Sequence, residues 1–280
     1  MNISREMNEN KFELSMFRML VMGVYMFIVE LLVEIPFLLL KESKYVTSHK
    51  SLELIVSLSS EIIPRFLVVL IVLELIKEYY KLNFKISYAR NFNFRLLLST
   101  VFLMIGFFLW FQTLFMAMVV KFPVLQSFAQ EATKLDENFY VDIIVSVVVA
   151  PIYEEILMRG IILEGLLNKY KPIIGIIVSA AIFGAMHFNI LTFINATVGG
   201  IVLGTIYYKT RSLVLCIVCH MLHNSIINFL QYFGQYMEGV DINIITFLIG
   251  IAIFTISAIF FERCLKKMKK DDVNLKKNIA

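Results

Sequence analysis

Residues 147–165 read VVVAPIYEEILMRGIILEG, which places two carboxylates, Glu154 and Glu155, and the guanidinium of Arg159 in a stretch otherwise apolar enough to cross a bilayer. An ionised side chain at mid-bilayer costs about 3 kcal/mol on insertion scales, so three of them so close together need partners, water or a task. The first expectation is therefore a functional site inside the membrane. The chain as a whole agrees: it is 59% hydrophobic and 17% charged with a mean hydropathy of +0.78, where soluble domains run at about 45–50% apolar and about 25% charged.

Working outward, apolar runs long enough to cross ~30 Å of hydrocarbon, or nearly so, occur around 17–40, 54–76, 96–120, 141–163, 173–194, 197–208, 212–231 and 242–261. The fold class expected is all-α, a polytopic membrane helix bundle of about eight transmembrane helices forming one integral membrane domain over residues 1–280. The run 17–40 is about 36 Å long at 1.5 Å per residue, too long for a signal-peptide core, and should remain as a first span. The run 197–208 is short and carries Gly199, Gly200 and Gly204, which fits a close-packed or partly re-entrant helix. Lys and Arg collect in cytoplasmic loops. With the N-terminus inside, 19 of the 26 basic residues fall on inner segments and five on outer loops. Both termini are expected in the cytoplasm and the 121–140 loop outside. The basic tail 263–280, with Lys266, Lys267, Lys269 and Lys270, can meet anionic headgroups at about 1 kcal/mol per residue. Such flanks are usual in membrane proteins, so no nucleic-acid partner is expected.

The buried polar residues form a constellation. Glu155 and Arg159 are four apart on one helical face, acid before base as an intrahelical pair prefers. Glu154 points about 100° away and is left for another role. Pro151 lacks the N–H that would bond the Val147 carbonyl and loosens the helix there. The three charges also fit a helix-packing network, but one guanidinium neutralises only one of two carboxylates. Next comes FGAMHF, with Phe183 and His187 four apart. The turn Asn168–Pro172 centres on residue 170, and Glu154 and His187 lie 16 and 17 residues from it, so an antiparallel hairpin of regular helices brings them to similar depth. The third piece, SLVLCIVCHMLHNSIIN, sets His220 and Asn224 on one face. Imidazole can donate, accept or ligate a metal, and a carboxamide can donate to an oxyanion without carrying charge. His223 and Asn228 read as packing or network members. Glu30, Glu34 and the Glu61–Arg65 pair read as helix-to-helix pairing or the lining of a water-filled cavity. Cys216 and Cys219 lack a second pair and read as small core fillers, with no disulfide.

The ordered set EExxxR (Glu154, Glu155, Arg159), FxxxH (Phe183, His187) and HxxxN (His220, Asn224) resembles the three motifs of the CPBP family, the type 2 CAAX prenyl endopeptidases and bacteriocin-processing or self-immunity proteins also called Abi. The resemblance covers residues 140–231 as a catalytic core; residues 1–139 are N-terminal spans of unmatched function. It implies an intramembrane endopeptidase acting on membrane-bound peptides or proteins in the lipid bilayer, in CAAX-type processing, bacteriocin or pheromone maturation, or self-immunity. Glu154 and His187 would activate a water, His220 and Asn224 would stabilise the oxyanion, and Glu155, Arg159 and Phe183 would hold the site in shape. No cofactor is favoured. Were zinc present, Glu154, His187 and His220 could supply one oxygen and two nitrogens, although no HExxH occurs. Two other classes stay open: a non-catalytic membrane regulator that binds a sensor kinase or a lipid-linked molecule, and a transporter, against which no second half repeats the first.

Overall fold

A computed structural model describes residues 13–80, 93–132, 139–232 and 244–279, and every regular element among them is helical. The helices are α1 Met16–Lys41, α2 Lys44–Thr47, α3 Lys50–Tyr80, α4 Phe94–Lys121, α5 Pro123–Ala132, α6 Phe139–Ile143, α7 Ala150–Glu155, α8 Glu164–Leu167, α9 Pro172–Ala185, α10 Ile190–Thr210, α11 Leu213–Tyr232 and α12 Ile244–Ile279. Wider π-helical turns over Ile144–Val149 and Ile156–Leu163 link α6, α7 and α8 into a continuous helical run. Six helices, α1, α3, α4, α10, α11 and α12, are long and apolar enough to cross a membrane. The polytopic helical bundle expected from the sequence is what the chain forms.

Three expected segments take a different shape. The run 173–194 does not continue as one helix: α9 stops at Ala185 after 14 residues, about 21 Å at 1.5 Å per residue. Phe188 then turns the chain with a left-handed φ of 52°. Asn189 caps the next helix by accepting from the backbone N–H of Leu191 and of Thr192 at 2.9 and 3.3 Å. The short run 197–208 is consequently the middle of the 21-residue α10, and it is close-packed at Gly200, where a Cβ would lie 3.1 Å from Ala180 Cβ. Part of the polar 121–140 loop is also helical, as α5. Most of the expected 77–95 loop and the polar N-terminus lie outside the described residues.

The chain forms two compact units, residues 1–86 with 136–179 and residues 87–135 with 180–280. In the first, α1 and α3 pack as neighbours and the run α6–α8 leads through the turn at 168–171 into α9. The hairpin is antiparallel. Ser179 Oγ donates to the Met158 carbonyl at 3.3 Å, and a Cβ placed on Gly175 would lie 3.4 Å from Leu166 Cβ. The start of α1 is pinned to this hairpin, since Leu14 N–H donates to the Gly165 carbonyl at 2.9 Å and Met16 N–H to the Tyr170 hydroxyl at 3.2 Å. Most of α1 is exposed and apolar, with only Met19 and Met26 buried. Lipid is the solvent for such a surface, because a water-soluble monomer rarely shows an apolar patch larger than a few hundred Å².

In the second unit α4 is the most buried of the six long helices. It begins at the Asn93 cap, whose Oδ1 accepts from Leu96 N–H at 2.8 Å, and runs beside α12 with backbones nearly touching. A Cβ on Gly106 would stand 2.4 Å from Phe254 N, and one on Gly250 2.4 Å from Trp110 N. Lipid offers no hydrophobic drive for helix association, so close backbone approach through small residues is what holds such a pair. The α10–α11 corner takes only Arg211, left-handed at φ 51°, and Ser212, whose N–H donates to Thr210 Oγ1 at 3.2 Å. Cys216 and Cys219 are fully buried free thiols, and Cys216 Sγ donates to the Leu203 carbonyl at 3.6 Å. They fill the core as the sequence suggested.

Gly106→Ala and Gly250→Ala should each lower the detergent melting temperature, by an overpacking cost of about 1–3 kcal/mol. Gly23→Ala and Gly199→Ala, whose Cβ would meet nothing within 4 Å, should leave it unchanged. Differential scanning fluorimetry of the four purified variants checks this, and equal effects at all four sites would contradict the close α4–α12 approach.

Candidate functional site

In the first unit, Glu155 and Arg159 pair as their spacing requires. Arg159 Nη1 donates to Glu155 Oε1 at 2.8 Å, with side chains 0% and 1% exposed. The surrounding wall is aliphatic: Leu157, Met158, Ile161, Ile162 and Leu163 are all buried. Glu154 follows Tyr153 at the end of α7, half-buried, with buried Pro151 one turn before it. The helix is wide on both sides of this six-residue segment. The first π-helical turn ends next to Pro151, whose missing N–H removes one rung of the regular ladder. Single π-helical turns inside α-helices are frequent at functional sites.

The sequence reading missed Tyr153. Its hydroxyl donates to Glu30 Oε2 of α1 at 3.1 Å. Behind Glu30, Arg65 of α3 grips its own turn through Glu61, donating to Oε2 and to the backbone carbonyl, each at 2.6 Å. Lys41 of α1 stands 3.7 Å from Glu61 Oε1. Glu30 and Glu61 thus each join one helix to another, one of the two roles expected of the embedded charges in these spans, while Arg65 pairs within its own helix. No sequence pattern singles out Tyr153, since a tyrosine in an apolar run looks like any other core aromatic.

Of the four remaining motif residues, all in the second unit, His187 and His220 both face the ring of Phe183. Phe183, buried on α9, stands edge-on to the imidazole of His187 with ring centres 5.1 Å apart, and edge-on to His220 of α11 at 5.8 Å. Gly200 lets α10 close on this point, since a Cβ there would lie 3.4 Å from Phe183 Cδ1 and 3.1 Å from Ala180 Cβ. His187 Nδ1 is 2.9 Å from the Phe183 carbonyl. A carbonyl oxygen can only accept, so Nδ1 carries the proton and Nε2 of the neutral ring keeps its lone pair. His220 is buried, and Asn224 follows one turn later on the same face, its backbone carbonyl accepting from Asn228 Nδ2 at 2.8 Å. His223 packs against Phe107 and Phe108, with ring centres 6.4 and 5.6 Å away.

Asn189 and Phe188 also belong to this neighbourhood. Besides capping α10, Asn189 donates from Nδ2 to the Phe128 carbonyl at 3.3 Å, tying α5 to the turn that carries His187. Phe188 is 82% exposed. An asparagine before an apolar run is a readable start signal, yet here it lay inside a longer apolar stretch and was absorbed into it.

What the residues define is a polytopic membrane protein that carries an ordered Glu, His and His/Asn set, the last of these on α11, a helix long and apolar enough to cross a membrane. Comparison with known proteins sharpens this. Residues 136–226 match the family model described as Type II CAAX prenyl endopeptidase Rce1-like. Over 89 residues the chain is 32% identical to the protein named "Putative membrane peptidase YdiL" of Bacillus subtilis, covering 32% of this chain and 36% of that protein. The matched stretch thus spans about a third of the curated relative's length. No solved structure matches the chain. The matched stretch contains all three motifs on which the resemblance to the CPBP family rests, so residues 136–226 are similar to that family.

Arg159→Ala should cost about 3–5 kcal/mol by removing the guanidinium that a fully buried carboxylate faces. The paired change Glu155→Gln with Arg159→Met should recover much of that loss, because it removes both charges. Expression yield and melting temperature of the two variants in detergent provide the check.

Proposed function

We propose that the chain is an intramembrane endopeptidase that hydrolyses peptide bonds in membrane-bound peptides or proteins. The observation that carries this reading is His187. Its Nδ1–H is committed to the Phe183 carbonyl, which leaves Nε2 as the one ring position able to take up a proton, the condition for a general base. Glu154 is its partner in activating a water: together they remove its proton, and the resulting hydroxide attacks the scissile carbonyl carbon. His220 and Asn224 donate to the oxyanion of the tetrahedral intermediate, each such donor contributing about 3–4 kcal/mol in a water-poor site. Collapse of the intermediate breaks the C–N bond, and the proton returns to the leaving amine. Glu155 and Arg159 keep the Glu154 turn rigid, and Phe183 holds both imidazoles. Substrates are lipid-anchored or spanning peptides, of the CAAX, bacteriocin or pheromone kind.

A metal-bound water is the competing reading for the same residues. An imidazole that donates its other N–H to a carbonyl also suits a ligand, and the chelation experiment below decides between the two. A binding protein with an inert site is the other alternative, and intact motifs speak against it. The basic split of 19 to five supports an orientation with both termini in the cytoplasm and α5 outside.

With an internally quenched farnesylated peptide ending in a CAAX sequence as probe, Glu154→Gln and His187→Ala should each reduce turnover at least a hundredfold while melting within about 2 °C of wild type, because they remove groups used in the transition state and not packing. Comparing the membrane peptides of wild-type and Glu154→Gln cells identifies the natural substrate. Wild-type activity should survive exhaustive chelation; loss on chelation with recovery on added zinc would make Glu154, His187 and His220 ligands instead. As a separate check of orientation, a membrane-impermeant thiol reagent applied to intact cells should label Gln126→Cys and spare Lys270→Cys.

A further inference from the structure

Glu154 sits between two neighbours that are each fixed from a different direction. In a helix, successive side chains are about 100° apart, so Tyr153 and Glu155 lie roughly 100° to either side of it. Glu155 is held by Arg159 inside the helical run. Tyr153 is held from outside that run, by Glu30 of α1. The flanking π-helical turns over Ile144–Val149 and Ile156–Leu163 depart from the regular α-helical ladder, so α7 depends on side-chain anchors to set its rotation. Glu30 is itself kept in place. Arg65 acts electrostatically on both Glu30 and Tyr153, and Arg65 is locked by Glu61, which faces Lys41. The two spans that match no family motif thus end, through one hydrogen bond, on the residue before the proposed catalytic carboxylate.

We propose that Glu30 and Tyr153 are positioning residues that set the rotation of α7 and so aim the Glu154 carboxylate, giving the N-terminal spans a direct part in the site. The proposal rests on Glu154 being the proton-accepting carboxylate only for its effect on rate; the aim of the side chain can be measured without turnover.

The test uses the full-length protein in detergent, with Tyr153→Phe, Glu30→Leu, Glu30→Gln and the double variant Tyr153→Phe/Glu30→Leu. The first readout is the rate at which dicyclohexylcarbodiimide, a reagent for carboxyl groups in apolar surroundings, labels Glu154, followed by mass spectrometry. Tyr153→Phe and Glu30→Leu should each change that rate at least threefold. Glu30→Gln, which keeps an acceptor oxygen for the tyrosine hydroxyl, should stay near wild type. The double variant should equal the singles, since both remove the same bond. The second readout is cleavage of the farnesylated peptide, where kcat should fall about tenfold at unchanged KM, within the range expected when a catalytic group is slightly misplaced. Melting temperatures should not move, because Glu30→Leu replaces a carboxylate by an apolar side chain in a membrane span. Unchanged labelling of Glu154 in both single variants, or Glu30→Gln behaving like Glu30→Leu, would overturn the proposal whatever the activity. Full activity of Glu154→Gln would instead overturn the catalytic reading and leave the labelling result to decide the positioning role.

Discussion

The Glu155–Arg159 pair is the constraint on which the first unit depends. Removing two charges from water costs several kcal/mol per ion after relaxation, and their attraction offsets that only when the geometry is good and fixed. Here the pair is fully enclosed, with a 2.8 Å contact and an aliphatic wall of Leu157, Met158, Ile161, Ile162 and Leu163. Any rotation of the helix that separated the ions would expose each to a low-dielectric surround. The penalty for moving is therefore what makes this turn rigid. Glu154 is the adjacent residue, half-buried at the end of α7.

The two units satisfy the demands of a membrane interior in different ways. The first uses charge and hydrogen bonding between helices: Tyr153 to Glu30, Arg65 to Glu61, Lys41 beside Glu61, and Ser179 to the Met158 carbonyl. The second relies on close approach and aromatic packing. Gly106 and Gly250 bring α4 and α12 together, and Phe107 stacks on Phe111 with ring centres 5.2 Å apart. Polar side chains also meet there: Asn195 Nδ2 donates to Gln112 Oε1 at 3.3 Å, and the ring of Phe183 takes one imidazole from the turn after α9 and one from α11. An aromatic ring positions imidazoles through its edge and face without competing for their protons.

The residues of the three motifs, and the membrane setting that gives them meaning, were legible in the sequence. Fixed spacings carry that information: four residues bring Glu155 to Arg159, Phe183 to His187 and His220 to Asn224 on a helix of any environment, and the cost of a charge in lipid marks the segment as functional. The hairpin about residue 170 was legible for the same reason, since the Lys-rich turn interrupts two apolar runs. Local rules of this kind need no knowledge of what else is nearby.

Tertiary structure decided what those rules cannot reach. The break at Phe188 and Asn189 lay inside a stretch whose overall hydropathy is high enough to read as one span, and His187 and Asn189 interrupt it too briefly to divide it. The span 197–208 looked too short because residues 190–194 were counted with the preceding apolar run; Gly200, not Gly199, is where α10 packs closely, with a Cβ there 3.1 Å from Ala180 Cβ. Tyr153 was invisible because its importance comes from Glu30, 123 residues earlier. The sharing of Phe183 by His187 and His220 joins the turn after α9 to α11. Periodicity reports the face a residue occupies on its own helix; which side chain meets that face depends on packing between segments far apart in the chain, and that is settled only when the helices come together.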